Sequence, residues 1–464
     1  MQKGLNYMKT THVLHLYNRI GFGITPNELN ALKRKSKKEI VEDLFSESKQ
    51  VTPLEIDLSF LNNVSKATLK NKKRKKELMK LNRKKVKELN KIWLNRIFNP
   101  KEVLREKMTL FWANHFVCKD NNTLHILKFN NLLRAQALGN FRTFTKLVSK
   151  ESSMLKYLNN KQNRKNSPNE NFARELMELF TLGQGNYTER DIKESARAFT
   201  GYNHNFKGDF KLKQRQHDTG EKSFFNEKGN FNGDDIIDII LKQTQCAQFI
   251  CKKLYAHFVN EQINEDHVNE MVAVFYPNYN IETVIKHVLL SDWFYDANNI
   301  GNKIKSPIDL LASIHKIVPF SFEKKKQHLL VQRTLGQTLL NPPNVAGWKE
   351  GKGWIDSNTI ITRLRLPSIL LNNAEINYSE KGDFKSEVVN LKDKKLRKRA
   401  YIKTIPKWTV FEKNYQNISN KELLSFIITS TVSENAKNVL NELQNSSKKD
   451  FCIQLLSLPE FQLC

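Results

Sequence analysis

The sequence has few cysteines, and none of them forms the pairs that bind metals. The five are Cys118, Cys246, Cys251, Cys452 and Cys464, and no two make a CxxC motif. An odd, scattered set is typical of reduced thiols, so it disfavours both a disulfide framework and a zinc knuckle. Because Cys464 ends the sequence, we expect its side chain to be exposed.

Long apolar runs are also missing. The opening residues, MQKGLNYMKTTHVLHLYNR, contain no apolar segment long enough for a signal peptide or a spanning helix. The sequence therefore predicts a cytoplasmic protein without a transmembrane segment, with a folded domain that begins near Thr11.

Acidic residues are scarce relative to basic ones. The chain has 48 Asp and Glu against 76 Lys and Arg, which gives a net charge of +28. This balance favours nucleic acid, anionic lipid or an acidic partner. Richness in Lys, Asn and Ile together is also typical of an AT-rich genome, which is a second explanation for the charge. Residues 66–92 form a lysine-rich helical stretch without an aromatic residue before Trp93, so it lacks a stacking platform for single strands.

Helical periodicity dominates the sequence and strand signals are rare. We predict a mainly α fold, a large irregular multi-helix unit with long loops and at most a short β element near 206–213. The predicted domains are a main helical domain (11–370), a basic polar linker or excursion (371–410) and C-terminal helices packing back on the main domain (411–464). Although 464 residues would suffice for about three ordinary domains, large single helical units also exist.

The residues with the most useful chemistry lie between Asn169 and Lys222. The first helix of this stretch has an apolar face and a polar face, and the polar face consists of Asn171, Arg174, Glu175 and Glu178. If this is a surface helix, Arg174 pairs with Glu178 in solvent. Because apolar residues flank it, the alternative is a buried, functional polar face.

A second helix begins after Thr188, which with Asp191 fits a capping box, and it presents Arg197. The segment HDTGEK follows, with His217, Asp218 and Lys222. A His-Asp pair in a glycine-bearing loop can act as a general base with its orienting group, or as two metal ligands, and Lys222 could hold an anion. The structural alternative is a turn in which Asp218 caps the backbone.

Two further features have both a structural and a functional interpretation. Trp348 and Trp354 lie in a glycine-bearing loop after two prolines, where they could form an aromatic pocket wall or pack the loop. His115 lies on an apolar helix face, which is typical of a core histidine, and the functional alternative places it near Glu175, Glu178 or His217. No HExxH or ExxH spacing supports a metal site. Metal dependence and cofactors are therefore unassigned.

Several motifs together resemble a bacterial family called domain of unknown function 1800. They are HVLHLYNRIGFG, REKMTLFWANHF, NENFARELMELFTLGQGNYTERDIKESARAFTGY, HDTGEK, KIKSPIDLL, LGQTLLNPPNVAGWKEGKGWI and LLSLPEFQ. The resemblance is nearly full length. It implies a shared fold and, because genes of the family commonly accompany genes for a sulfatase-like family, a sulfatase-like partner protein. It implies no reaction.

The leading functional hypothesis is an enzyme acting on an anionic or carbonyl-bearing substrate in a central pocket. Two carboxylates beside a His-Asp pair suit acid–base chemistry, and the cations suit an anion or oxyanion. The candidate catalytic residues are His217, Asp218, Glu175 and Glu178, and the candidate substrate-binding residues are Arg174, Arg197, Lys222, Trp348 and Trp354. The alternatives are a scaffold or maturation partner of a sulfatase-like protein, or a basic binder of nucleic acid or membrane surfaces.

Overall fold

The computed structural model describes residues 7–62, 64–65, 68, 70–373 and 402–464. They form two compact units. Unit 1 takes the described residues of Met1–Ile40, Asp292–Thr338 and Lys349–Cys464, whereas unit 2 takes those of Val41–Ser291 and Leu339–Trp348. The central stretch predicted to carry the chemistry belongs wholly to unit 2. Most of the predicted linker, residues 374–401, lies outside the described residues.

The described residues form 21 α-helices, which confirms the prediction of a mainly α fold. The first ten are α1 (Thr10–Ile20), α2 (Pro26–Leu32), α3 (Lys37–Glu47), α4 (Lys72–Phe98), α5 (Val103–His115), α6 (Thr123–Gln136), α7 (Phe141–Lys150), α8 (Ser152–Tyr157), α9 (Asn171–Glu175) and α10 (Glu189–Ala198). The others are α11 (Gly233–Leu241), α12 (Thr244–Phe258), α13 (Glu265–Phe275), α14 (Ile281–Leu290), α15 (Pro307–Ile317), α16 (Gln327–Thr334), α17 (Ser357–Leu371), α18 (Trp408–Tyr415), α19 (Asn420–Ile427), α20 (Glu434–Glu442) and α21 (Lys448–Ser457).

Six short strands pair into antiparallel two-stranded sheets. They are β1 (Tyr202–His204) with β2 (Phe210–Leu212), β3 (Lys222–Phe224) with β4 (Glu227–Gly229), and β5 (Phe320–Phe322) with β6 (Thr404–Pro406). The predicted β element near 206–213 contains β2. The β3–β4 hairpin lies directly after the HDTG turn and was not predicted from the sequence.

The core of unit 2 is rich in aromatic side chains. Trp112, Phe116, Phe141 and Phe144 are buried and their rings contact one another. His115 is 3% exposed among them, and its Nε2 lies 3.0 Å from the carbonyl oxygen of Phe180. Its position agrees with the core interpretation, and burial lowers the pKa of its imidazole well below the usual value.

The cysteines are all buried, and none is in a disulfide. The expectation for Cys464 is wrong, since its side chain is shielded where the end of the chain pairs with Lys303. The Cys464 N–H donates to the Lys303 carbonyl over 2.8 Å, and the Lys303 N–H donates back over 3.2 Å. Separately, none of the described helices has the length and apolar content that crossing a membrane requires.

Candidate functional site

The first polar helix of the central stretch changes its winding. After α9, the backbone continues as a π-helical segment, Leu176–Thr181. The Leu182 N–H donates to the Met177 carbonyl five residues earlier, over 2.8 Å, and the Thr181 hydroxyl donates to the Leu176 carbonyl. Such π turns are rare and frequently occur at functional sites. The sequence had predicted a regular helix here.

Glu175 and Glu178 lie at the junction of α9 with the π-helical segment. Both are partly exposed. The Tyr187 hydroxyl donates a 2.9 Å hydrogen bond to Glu178 Oε2, whereas Glu175 accepts no hydrogen bond from any residue that the structure describes. Burial, and secondly the negative charge of Glu178, raise the pKa of Glu175 above its ordinary value. Glu175 is therefore a carboxyl group with increased proton affinity that solvent can reach.

Arg174 forms surface ion pairs, but its partners are not the predicted one. It does not pair with Glu178. Its guanidinium donates to both oxygens of Glu189, over 2.9 and 3.2 Å, and to Glu170 Oε2 over 3.2 Å. The Glu189 side chain is 68% exposed, so these are surface ion pairs of small energetic weight.

Arg197 and Asp218 form a closely connected pair. Arg197 Nε donates to Asp218 Oδ2 over 2.8 Å and Nη2 donates to Oδ1 over 3.3 Å, while Nη1 donates to both oxygens of Glu194. Asp218 Oδ1 also accepts the Gly220 N–H over 2.8 Å. Burial acts to raise the pKa of Asp218, but the hydrogen bonds from Arg197 and Gly220 hold it below the usual value. Asp218 is therefore a fixed anion.

Lys222 and His217 also have partners within the chain. The Lys222 side chain is fully buried, and its ammonium donates to the carbonyls of Asp218 (2.8 Å) and Gly220 (2.9 Å). Burial lowers its pKa from the usual value. His217 is 8% exposed, and its Nδ1 lies 2.8 Å from the Thr200 carbonyl oxygen. Together with Arg197 and Asp218, these residues form what we call the closed network.

The backbone around Thr200 and Gly201 sets the position of the closed network. Gly201 has φ +77°, and a Cβ there would lie 2.8 Å from the Lys213 carbonyl oxygen, so glycine is required for this close approach. The Thr200 hydroxyl accepts the Asp218 N–H over 2.8 Å. These contacts fix the HDTG turn against the end of α10, which places Asp218 beside Arg197.

The nine predicted site residues thus lie in several places. Arg197, His217, Asp218 and Lys222 come together in the closed network, whereas Arg174, Glu175 and Glu178 lie on the preceding helix. Trp348 belongs to unit 2, where its backbone N–H donates to Asn114 Oδ1 over 2.7 Å, and Trp354 belongs to unit 1. Both indoles are 5% exposed.

A second group of titratable residues was missed by the sequence analysis. Asp120 is 3% exposed, and Lys156 Nζ donates to its Oδ1 over 2.5 Å. His125 Nδ1 lies 3.5 Å from Asp120 Oδ2, and the imidazole rings of His125 and His204 are 5.0 Å apart. We call this set, with Glu151, the buried acid cluster.

Glu151 is the least satisfied member of the buried acid cluster. Its Oε2 is buried without a hydrogen-bond partner among the described residues, as is the hydroxyl of the adjacent Ser152. Burial raises the pKa of Glu151 to about 7. Gly208 (φ +84°) covers the site, because a Cβ there would lie 3.0 Å from the Ser152 hydroxyl and 3.1 Å from the His125 ring.

No local motif in the sequence identifies the buried acid cluster, because its members are spread from Asp120 to His204. Only the packing of α6, α8 and β1 brings them together. Within the described residues, no group of three or more His, Cys, Asp and Glu side chains has the arrangement needed to hold a metal ion.

Comparison with known proteins gives a family and no closer relative. No curated protein matches the chain, and no solved structure does. The family model described as "Protein of unknown function (DUF1800)" matches residues 15–463, nearly the whole sequence. The motifs that suggested this resemblance, the helical fold and the length of the match lead to one conclusion: the chain belongs to the DUF1800 family.

Proposed function

We propose that the chain is an enzyme that performs acid–base chemistry on a carbonyl-bearing substrate, with Glu175 as the group that takes and returns the proton. The observation that carries the proposal is the contrast between two neighbouring carboxyl groups. Glu178 is held by the Tyr187 hydroxyl, whereas Glu175, on the same side of the helix, is half-buried without a hydrogen-bond partner among the described residues. A catalytic acid or base has to be left available in this way.

The roles of the other groups follow from their contacts. Glu178, fixed by Tyr187, keeps a negative charge beside Glu175 and so increases the proton affinity of Glu175. A general base works best when its pKa lies near the working pH, which requires a raised value for a carboxyl group. Glu178 is thus a positioning residue.

The charges near the site favour a neutral substrate over an anionic one. Arg174, Arg197 and Lys222 were predicted to bind an anion, but each already donates to carboxylates or carbonyls of the chain. An anion would have to displace those partners and would also approach two glutamates. We therefore prefer a neutral carbonyl compound.

Proton exchange tests the proposal without knowledge of the natural substrate. The protein is incubated in D₂O with a panel of aldehydes, ketones, esters and thioesters, and ¹H NMR follows loss of the α-proton and hydrolysis. We expect turnover of at least one compound, and a loss of about 10² or more in Glu175→Gln.

Glu189→Gln provides the matched control, because Glu189 is a glutamate of the same region that binds Arg174 at the surface. It should retain full turnover. Equal rates in wild type and Glu175→Gln would contradict the proposal, and absence of turnover across the panel would count against a carbonyl substrate.

A scaffold or maturation partner of a sulfatase-like protein is the second candidate. Its support is the closed network, whose charged groups are engaged within the chain as in a structural element. In this case wild type and Glu175→Gln should bind a co-expressed sulfatase-like protein equally well, and Asp218→Ala should lose that binding through local unfolding. Failure of wild type to co-purify with such a protein would remove this candidate.

A further inference from the structure

One end of the long helix α4 is exposed on every side. We call residues 72–80 the basic arm; they contain six basic residues and one acidic residue, Glu77. All of them are exposed except Leu78, which is partly exposed, and even Met79 is 48% exposed. Farther along α4, Leu89 and Trp93 are buried and anchor the helix in unit 2.

The charges of the basic arm oppose the stability of an isolated helix. The first turn of α4 contains no acidic residue, so cations lie where the helix dipole is positive. Lys72, Lys76 and Lys80 follow one another at spacings of four, at which like charges repel. Asn71 caps this end, since its Oδ1 accepts the Arg74 N–H over 3.1 Å and its carbonyl accepts the Lys75 N–H over 2.9 Å.

The cations of the basic arm also have no acidic partner among the described residues, unlike a lysine farther along the same helix. Lys85 lies within 3.5 Å of Asp57 and 3.3 Å of Glu88. A polyanion beside the basic arm would remove the repulsion and complement the positive end of the dipole. Charge complementarity therefore identifies the kind of partner.

We infer that the basic arm binds the phosphate backbone of double-stranded nucleic acid. A helix that lies on a membrane needs an apolar face with large side chains, and the arm offers only Leu78 and Met79. Binding of single strands needs aromatic side chains for stacking, but the first aromatic residue of α4 is the buried Trp93. A helix with charge on all sides fits the major groove, which is about 12 Å wide.

The arm should bind without sequence preference. Its cationic side chains are five lysines and one arginine, and it contains no amide side chain, so it suits phosphates better than base edges. Nine helical residues span about 13 Å. With up to six phosphate contacts, the logarithm of the binding constant should fall with the logarithm of salt concentration with a slope of about −5.

Fluorescence anisotropy with a labelled 20-base-pair DNA duplex tests the inference on the full chain. The test variant replaces Lys72, Lys73, Arg74, Lys75 and Lys76 with glutamine. We expect it to bind at least about 100-fold more weakly at low salt, with a slope reduced by about one for each cation removed. Since these side chains are exposed, the variant should melt at the wild-type temperature.

The matched control removes the same charge elsewhere in unit 2. It replaces Lys207, Lys211, Lys213, Arg215 and Lys228, all exposed, with glutamine. This control should bind the duplex within about 3-fold of wild type, because the groups that contact phosphate remain.

Three results would overturn the inference. Equal loss of affinity in the two variants would show that net charge alone attracts DNA. If wild type binds vesicles of phosphatidylcholine and phosphatidylserine more tightly than the duplex, and only the arm variant loses this binding, the arm binds membranes instead. Absence of duplex binding by wild type at low salt would also reject the inference.

Discussion

The carboxyl group of Asp218 in the closed network and the carboxyl groups of Glu175 and Glu151 have opposite surroundings. In the closed network, Asp218 receives hydrogen bonds from Arg197 and Gly220, and Lys222 donates to two carbonyls. Glu175 and Glu151 Oε2, by contrast, accept no hydrogen bond from the described residues. A carboxylate that accepts hydrogen bonds stabilises the fold, whereas a buried carboxyl group without them has a raised pKa.

This difference determines how the stability of the protein changes with pH. A carboxyl group whose pKa is lowered on folding stabilises the protein above its unfolded pKa, and the stabilisation is lost as the pH falls. A carboxyl group whose pKa is raised on folding behaves in the opposite way: the folded state is favoured at low pH and loses stability as the pH rises. Asp218 belongs to the first kind, and Glu175 and Glu151 belong to the second.

The largest expected effect comes from opening the closed network. Asp218→Ala removes the acceptor of Arg197 and Gly220 and should lower the free energy of unfolding by about 2–3 kcal/mol at pH 7, measured by urea denaturation. Glu189→Ala, which removes a surface partner of Arg174, should cost less than about 1 kcal/mol. The Asp218→Ala deficit should shrink as the pH falls below 3.8, the ordinary pKa of Asp. Equal costs in both variants would end the distinction between closed and surface pairs.

An effect of comparable size and opposite direction is expected at Glu151. Its pKa rises from 4.5 to about 7 on folding, so wild type loses stability as the pH increases through this range. Glu151→Gln should therefore be as stable as wild type near pH 4 and about 3 kcal/mol more stable above pH 7. Urea denaturation at a series of pH values measures the difference. A variant that is less stable than wild type at pH 8 would show that Glu151 is ionised and paired in the fold.

The smallest effect is expected at Glu175, because solvent reaches it. NMR of ¹³C-labelled glutamate side chains should show Glu175 titrating above its ordinary value of 4.5. Glu178→Gln should move the Glu175 midpoint downward, since a neighbouring negative charge is removed. Tyr187→Phe, which keeps that charge, should leave the midpoint above the ordinary value. An unchanged midpoint in Glu178→Gln would show that the two glutamates do not interact.

The helical part of the fold could be predicted because its signals are local. Thr188 and Asp191 form the capping box that the sequence suggested, with a 3.1 Å bond from the Asp191 N–H to the Thr188 hydroxyl. Pro307 likewise begins α15. Such caps involve residues three positions apart, so the sequence shows both partners at once.

The β3–β4 hairpin could not be predicted because its turn lacks the usual residues. The two residues at the turn, Phe225 and Asn226, both have positive φ, 46° and 64°. Hairpin turns of this kind are usually marked by Asn-Gly or Asp-Gly, and a phenylalanine at positive φ is rare. The Phe225 N–H donates to Asp191 Oδ1 over 3.3 Å, so tertiary contact supports a turn that local preference would reject.

The candidate site was only partly predictable for a similar reason. Spacing placed Glu175 and Glu178 together, because residues three apart share a helix face. It could not show that Arg197 would bind Asp218, 21 residues later, instead of a substrate. The buried acid cluster depends on contacts still farther apart in the sequence, and the burial that raises the pKa of Glu151 exists only in the folded chain.

Labelling of the buried cysteines can measure how fast the structure around each of them opens. Thiol reagents react with the thiolate, and burial raises the pKa of Cys118, Cys246, Cys251 and Cys452, so these sulfurs are both shielded and protonated in the native state. Labelling should then proceed only as fast as the structure around each sulfur opens. Three of the sites lie in unit 2, whereas Cys452 and Cys464 lie in unit 1. Mass spectrometry of the labelled peptides would time the opening of each unit separately, with no engineered probe.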